Sequence, residues 1–202
     1  MGALALAACA PALQPLSGVP VPARLPAAEL PPARQLVVFR WELHDGELVA
    51  RGDGAARLAP PDSARLDFFV AGGMGSGAAV LIGDSLRLPA TNFTTRLVPA
   101  APLLWAALGR LDLPALADTV ARVDGSVLRA DIGSPVQWRV TFAGTRLQRL
   151  ERVAGGRVLE SVDRAASGQV SYRQERDHRT LALVITKVDE VAPFDSAIWT
   201  FP

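Results

Sequence analysis

A chain of 202 residues, half of them apolar, can bury one sizeable core and reads as one domain with a tail. Its 21 basic and 20 acidic residues leave a net charge of +1 and are interspersed in sign, which argues against a nucleic-acid footprint or a basic membrane patch. One cysteine excludes an internal disulfide framework and any multi-cysteine zinc site. Lys187 is the only lysine, an arginine bias that fits a GC-rich coding sequence better than a demand for guanidinium chemistry.

The cysteine closes the run Leu6-Ala7-Ala8-Cys9. This is the pattern of a bacterial lipobox: an aliphatic residue, two small ones, then the cysteine whose thiol takes a thioether-linked lipid. Small residues let the chain lie extended in a peptidase cleft. Cys9 is therefore the expected lipidation site, and residues 1–9 are a truncated-looking lipoprotein signal. No Lys or Arg precedes Cys9, and the apolar stretch from Ala3 to Ala8 is short; an upstream start codon would repair both. No later stretch is long and apolar enough to span a bilayer, so the expected anchor is lipid alone. Residues 10–35 carry seven prolines (Pro11, Pro15, Pro20, Pro22, Pro26, Pro31, Pro32), which block regular helix or sheet over most of the segment. In polyproline II geometry such a tether reaches roughly 80 Å, at about 3.1 Å per residue, and would hold the body clear of headgroups.

The body, 36–202, opens with period-two alternation: Val37, Phe39, Trp41 and Leu43 against Arg40, Glu42 and His44. Strands are predicted over Leu36–His44, Glu47–Leu58, Ala64–Val70, Ala78–Ile82 and Ser85–Leu88, with a break at Gly72–Gly77. Pro99–Leu111 predicts a helix, with Leu103, Leu104, Ala107, Leu108 and Leu111 at helical spacing, and Pro114–Val120 a second short helical piece. Strands resume over Val127–Ile132, Val136–Phe142, Leu147–Val153, Arg157–Asp163, Gln169–Glu175 and Thr180–Asp189. Their polar positions are rich in charge, so each strand has one wet side, on which Glu151, Glu160 and Asp189-Glu190 are expected. The tail, Val191–Pro202, holds Phe194, Ile198, Trp199 and Phe201 and should pack on the sheet. The predicted class is mainly β (α+β): a strongly curved antiparallel sheet, or open β-barrel, of about 10–11 strands, with a mid-chain helix covering the concave side.

The run Ser63-Ala64-Arg65-Leu66-Asp67-Phe68-Phe69, then a Gly-rich turn and Ala79-Val80-Leu81-Ile82-Gly83-Asp84-Ser85-Leu86-Arg87-Leu88-Pro89, resembles the central hairpins of the bacterial Lol-type lipoprotein carrier and receptor superfamily. Pro102-Leu103-Leu104-Trp105-Ala106-Ala107-Leu108-Gly109 is similar to the helix that follows them there. The resemblance covers roughly Leu36 to Asp189. It implies an open barrel (LolA/LolB-like) of about eleven strands, with helices as a lid over an apolar cavity that binds acyl chains without catalysis. No segment matches the protruding apolar loop of the outer-membrane receptor, so the chain reads as that receptor's relative.

Candidate ligand-binding residues are Phe39, Trp41, Phe68, Leu81, Leu104, Trp105, Leu108, Trp138 and Val140, with the tryptophans offering the broadest apolar contact. No catalytic residue, metal site or cofactor is predicted. A triad needs a histidine beside a nucleophile, and His44 and His178, the only two, both read as solvated. No G-x-S-x-G elbow precedes a helix, and Gly72–Gly77 lacks the lysine of a P-loop. The expected protein is a lipoprotein of the cell envelope, lipid-anchored to the membrane facing the periplasm (the outer membrane being the expected one). It would bind lipid or lipoprotein acyl chains as a carrier or receptor. The alternative is a non-catalytic structural or assembly lipoprotein acting through a protein partner. An envelope hydrolase would instead need His44 or His178 gathered with carboxylates in a polar cleft.

Overall fold

Strict alternation in a long strand puts one set of side chains in a core and the other in water, and this sequence does so along most of its length. The computed structural model describes residues 10–73, 75–89, 92–114 and 118–201. Cys9 lies outside the described residues. The first strands are β1 (Val19–Val21), β2 (Gln35–Asp45), β3 (Leu48–Ala59), β4 (Ser63–Val70), β5 (Ser76–Ile82) and β6 (Ser85–Arg87). Two helices follow, α1 (Asn92–Leu97) and α2 (Ala101–Leu108). The second run comprises β7 (Thr119–Asp124), β8 (Val127–Ile132), β9 (Trp138–Ala143), β10 (Arg146–Ala154), β11 (Arg157–Arg164), β12 (Gln169–Gln174) and β13 (Arg179–Glu190).

Among the described residues all the strands join one antiparallel sheet of 13, in the order β1-β7-β8-β9-β10-β11-β12-β13-β2-β3-β4-β5-β6. The last strand of the body returns beside β2, which fuses the two meanders. The edges, β1 and β6, are three residues each and do not meet, so the curved sheet stays unclosed. Two strands exceed the expected eleven, and they pair with each other: β1 lies in the segment read as a tether, and β7 takes Thr119 and Val120 from the stretch read as helical. Ala115–Ala117 of that stretch lie outside the described residues.

On β2, Val37, Phe39, Trp41 and Leu43 face the core and Arg40, Glu42 and His44 face out. The register sets Gly54 opposite Phe39 and Gly52 opposite Trp41. A Cβ on Gly54 would stand 2.3 Å from the Phe39 ring, so glycine there lets the aromatic lie on bare backbone. Phe68 meets Phe39 and Trp41 edge-to-face, at centroid distances of 5.6 and 6.1 Å. Helix α2 starts with a proline in its first turn and stops at Gly109, whose φ of 98° favours glycine. It packs against β10, β11 and β12, burying Leu103, Leu104, Trp105, Ala106 and Ala107.

The Pro-rich segment does not stand free. Leu13 N–H donates to Gly156 O (2.8 Å) and Val158 N–H to Pro11 O (3.0 Å). Arg157, Arg139 and Arg122 donate to the carbonyls of Ala10, Gln14 and Gly18 at 2.8, 2.7 and 2.8 Å. Farther on, Leu30 enters the core and Leu111 N–H donates to Ala28 O. The reason is physical: proline lacks an N–H, so the segment offers surplus carbonyls, and arginine supplies only donors. Residues 10–18 form a belt over the outer side of the sheet, and the chain then enters the sheet edge as β1 and reaches the core at Leu30.

The tail packs on the outer face of β4. Arg65 donates to Ile198 O (2.7 Å), its guanidinium lies 5.6 Å from the Phe201 ring centroid, and Phe194 meets Trp199 edge-to-face. Glu151 and Glu160 correct the expectation of wet carboxylates. Both are buried, Glu151 against Arg149, and Glu160 against Arg152 and the Tyr172 hydroxyl.

Candidate functional site

Eight of the nine candidate ligand-binding residues are buried in one continuous core: Phe39 and Trp41 from β2, Phe68 from β4, Leu81 from β5, Leu104 and Trp105 from α2, and Trp138 and Val140 from β9. Exposure there runs from 0% at Leu81 and Val140 to 8% at Trp138, so these side chains pack against one another. Leu108, at the end of α2, is half-buried. Trp105 is the best anchored: its Nε1–H donates to Gly83 O (2.7 Å), and the Arg110 guanidinium stacks 4.6 Å from its ring centroid.

Leu108 marks a cleft of about 240 Å³ between the end of α2 and strands β2, β3 and β13. Its apolar wall is Val37, Leu58, Ala107, Leu108, Ile185 and Val188; Glu29, Gln35 and Arg164 supply the polar groups. Arg164, the last residue of β11, pairs in register with the buried Val170 and donates to Ala107 O at the C-terminal end of α2. Burial, and then the like charge of Arg146, hold the Arg164 pKa below its ordinary value. Of the predicted residues the cleft includes Leu108 alone. Val37, Leu58 and Ile185 carry only the signal of ordinary inward strand positions, while Arg164 and the half-exposed Val188 carry no local signal of a site.

A larger cleft of about 520 Å³ lies over the outer face, where Arg40, Glu42, Arg51 and Asp53 border it and Trp41 reaches its floor. His44 and His178 are both exposed, and His44 contacts only Glu42 through its side chain. Neither sits in a cleft with carboxylates in the manner a hydrolase would need. Among the described residues, no group of three or more His, Cys, Asp or Glu comes together as a metal site. No described helix is long and apolar enough to cross a membrane. Among the buried polar groups the Tyr172 hydroxyl donates to Glu160 Oε1 (2.6 Å), and burial, reinforced by that carboxylate, raises its pKa far above the usual phenol value.

No family model and no curated protein matches this chain. Solved structures do. A LolA superfamily protein from Nitrosomonas europaea superposes with a TM-score of 0.53 at 10% identity, over 86% of this chain and 93% of that one. A domain from Vibrio parahaemolyticus, described as an outer membrane lipoprotein-sorting protein, gives 0.51 at 7% identity, over 85% and 91%. The fold is LolA-like: an unclosed antiparallel sheet wrapped around a short helix.

Proposed function

We propose that this LolA-like chain is a lipid-anchored, non-catalytic protein of the bacterial cell envelope that takes acyl chains of a lipid or lipoprotein beneath α2. The observation that carries the reading is α2 itself. Five consecutive residues, Leu103 to Ala107, are buried, so the helix is apolar all round and acts as a plug in the mouth of an unclosed sheet. An acyl chain can replace such a plug residue for residue, at about 0.8 kcal/mol per methylene buried. The cleft beside Leu108, at about 240 Å³, is below the roughly 300 Å³ at which ligand pockets begin, so occupancy needs α2 to move outward. Acylation of Cys9 supplies the anchor, with the body in the periplasm and the outer membrane as its seat.

The filled interior favours a second reading, in which the barrel is a rigid platform for a protein partner. Native mass spectrometry of the chain purified from a bacterial envelope separates the two. Under the first, acyl species co-purify and are lost in Leu108→Glu, which alters the cleft wall at its half-buried residue. A protein that is empty, and that also refuses a fluorescent fatty acid, would establish the second and remove the first.

A further inference from the structure

We propose that the cleft at the end of α2 selects anionic amphiphiles, with the Arg164 guanidinium as counter-charge to a carboxylate or phosphate headgroup. This rests on the acyl-chain reading above and adds the headgroup to it.

Several of the partly buried arginines have carboxylates beside them. Arg139 holds Asp131, Arg149 holds Glu151 and Asp163, Arg152 holds Glu160, Arg179 holds Asp45, and Arg57 and Arg65 share Asp67. Arg164 is half-buried in the cleft wall and does not hold one. Among the described residues it forms no ion pair, and its protein acceptor is the carbonyl of Ala107. The last-turn carbonyls of a helix carry a partial negative charge, which offsets a cation only in part. The neighbouring charge makes matters worse: Arg146 donates to the main-chain carbonyl of Arg164 and repels its guanidinium. Glu29 borders the same cleft without pairing to it.

A cation drawn from water into an apolar wall without its counter-ion is costly, and an anion from outside removes the cost. Geometry favours one. Arginine has five N–H donors in a planar fork, and Ala107 takes one of them. The other donors can meet a carboxylate or phosphate, bidentate where the fork is free. From that point Val37, Leu58, Ile185 and Val188 offer an apolar wall for the tail.

The test compares a long-chain fatty acid with its methyl ester, matched in chain, on the full-length protein by calorimetry or displacement of a fluorescent probe. The acid should bind on the order of tenfold more tightly than the ester, the size expected of one charge-assisted contact. Arg164→Gln should bring the two together by weakening the acid, and Arg164→Lys should restore part of the preference. Equal binding of acid and ester to the native protein would overturn the headgroup assignment and leave the acyl-chain reading standing. Binding of neither would remove both. A lysophosphatidic acid that outbinds the fatty acid keeps the site and assigns the headgroup to phospholipid. Should Arg164→Gln fail to fold, the acid-to-ester ratio of the native protein decides alone.

Discussion

The sheet carries a short segment on each of its faces, and the two are held by opposite means. Helix α2, on the core face, buries five residues in a row, and two side-chain hydrogen bonds help to fix it, from Trp105 to Gly83 and from Arg164 to Ala107. The belt of residues 10–18, on the outer face, is largely exposed and is held by directional bonds: a short backbone pairing with β11 and the hairpin before it, then arginines on the carbonyls of residues 10, 14 and 18. Apolar burial is strong but non-directional, so a plug held that way can slide or leave once another apolar body replaces it. Hydrogen bonds to successive carbonyls are individually weak but set a fixed position. One segment is thus fixed by burial alone over most of its length and the other by directional bonds.

The sharpest way to break that comparison is to shrink the plug. Trp105→Ala removes a side chain 1% exposed and leaves a cavity beneath α2. The expected loss is about 3–5 kcal/mol in denaturant unfolding, the range for large aromatics cut to alanine in a core. A loss under about 1 kcal/mol would mean that α2 is not part of the cooperative core, and the plug description would fail.

A smaller effect is expected at the buried polar group on the same face. Tyr172 is the only tyrosine, so ultraviolet absorbance reads its ionisation without overlap. In the unfolded chain the phenol ionises near 10, while in the fold, burial and Glu160 keep it neutral well beyond that. Its contribution to stability is therefore complete below about pH 10 and lost as pH rises past it, because only the unfolded state can release the proton. Native protein should show no tyrosinate absorbance until it unfolds in alkali. Tyr172→Phe should cost about 1–2 kcal/mol at neutral pH, from the lost bond to Glu160, and should flatten the alkaline decline. A titration near pH 10 in the folded protein would show that the hydroxyl is not buried against that carboxylate.

These elements differ in how far they could be read in advance. Strand β2 and helix α2 declare themselves, because Val37-Phe39-Trp41-Leu43 and the spacing of Leu103, Leu104 and Ala107 are local patterns with a single period. Strand β7 does not: its partner β1 lies about a hundred residues earlier, between prolines. The belt was hidden for a related reason. Its prolines fix an extended chain, but whether that chain floats or lies down is decided by Arg122, Arg139 and Arg157, far along the sequence. Glu160 looked wet in a strand of alternating charge. A register irregularity between Arg152 and Val153 places it across from Arg152, within reach of Tyr172 from the next strand. The cleft draws Val37, Leu58, Leu108, Arg164 and Ile185 from five separate elements, so only sheet register brings them together.

The smallest change in stability should come from loosening the belt, and it carries the most about position. Leu13→Pro removes the N–H that bonds Gly156 O, and Arg157→Ala removes the donor to Ala10 O. Together they should lower global stability by no more than about 1–2 kcal/mol, since neither empties the core. Hydrogen exchange separates the two faces. The Val158 amide, whose acceptor is Pro11 O, should exchange at least tenfold faster, while the Trp105 indole N–H, bonded to Gly83 O beneath α2, keeps its protection. Equal acceleration at both would make belt and plug one cooperative unit and end the distinction between them. Separate behaviour would mean that the chain from Ala10 is held at the β10–β11 turn independently of the core. The Pro-rich segment would then be a fixed part of the body over residues 10–18 and not a free polyproline spacer.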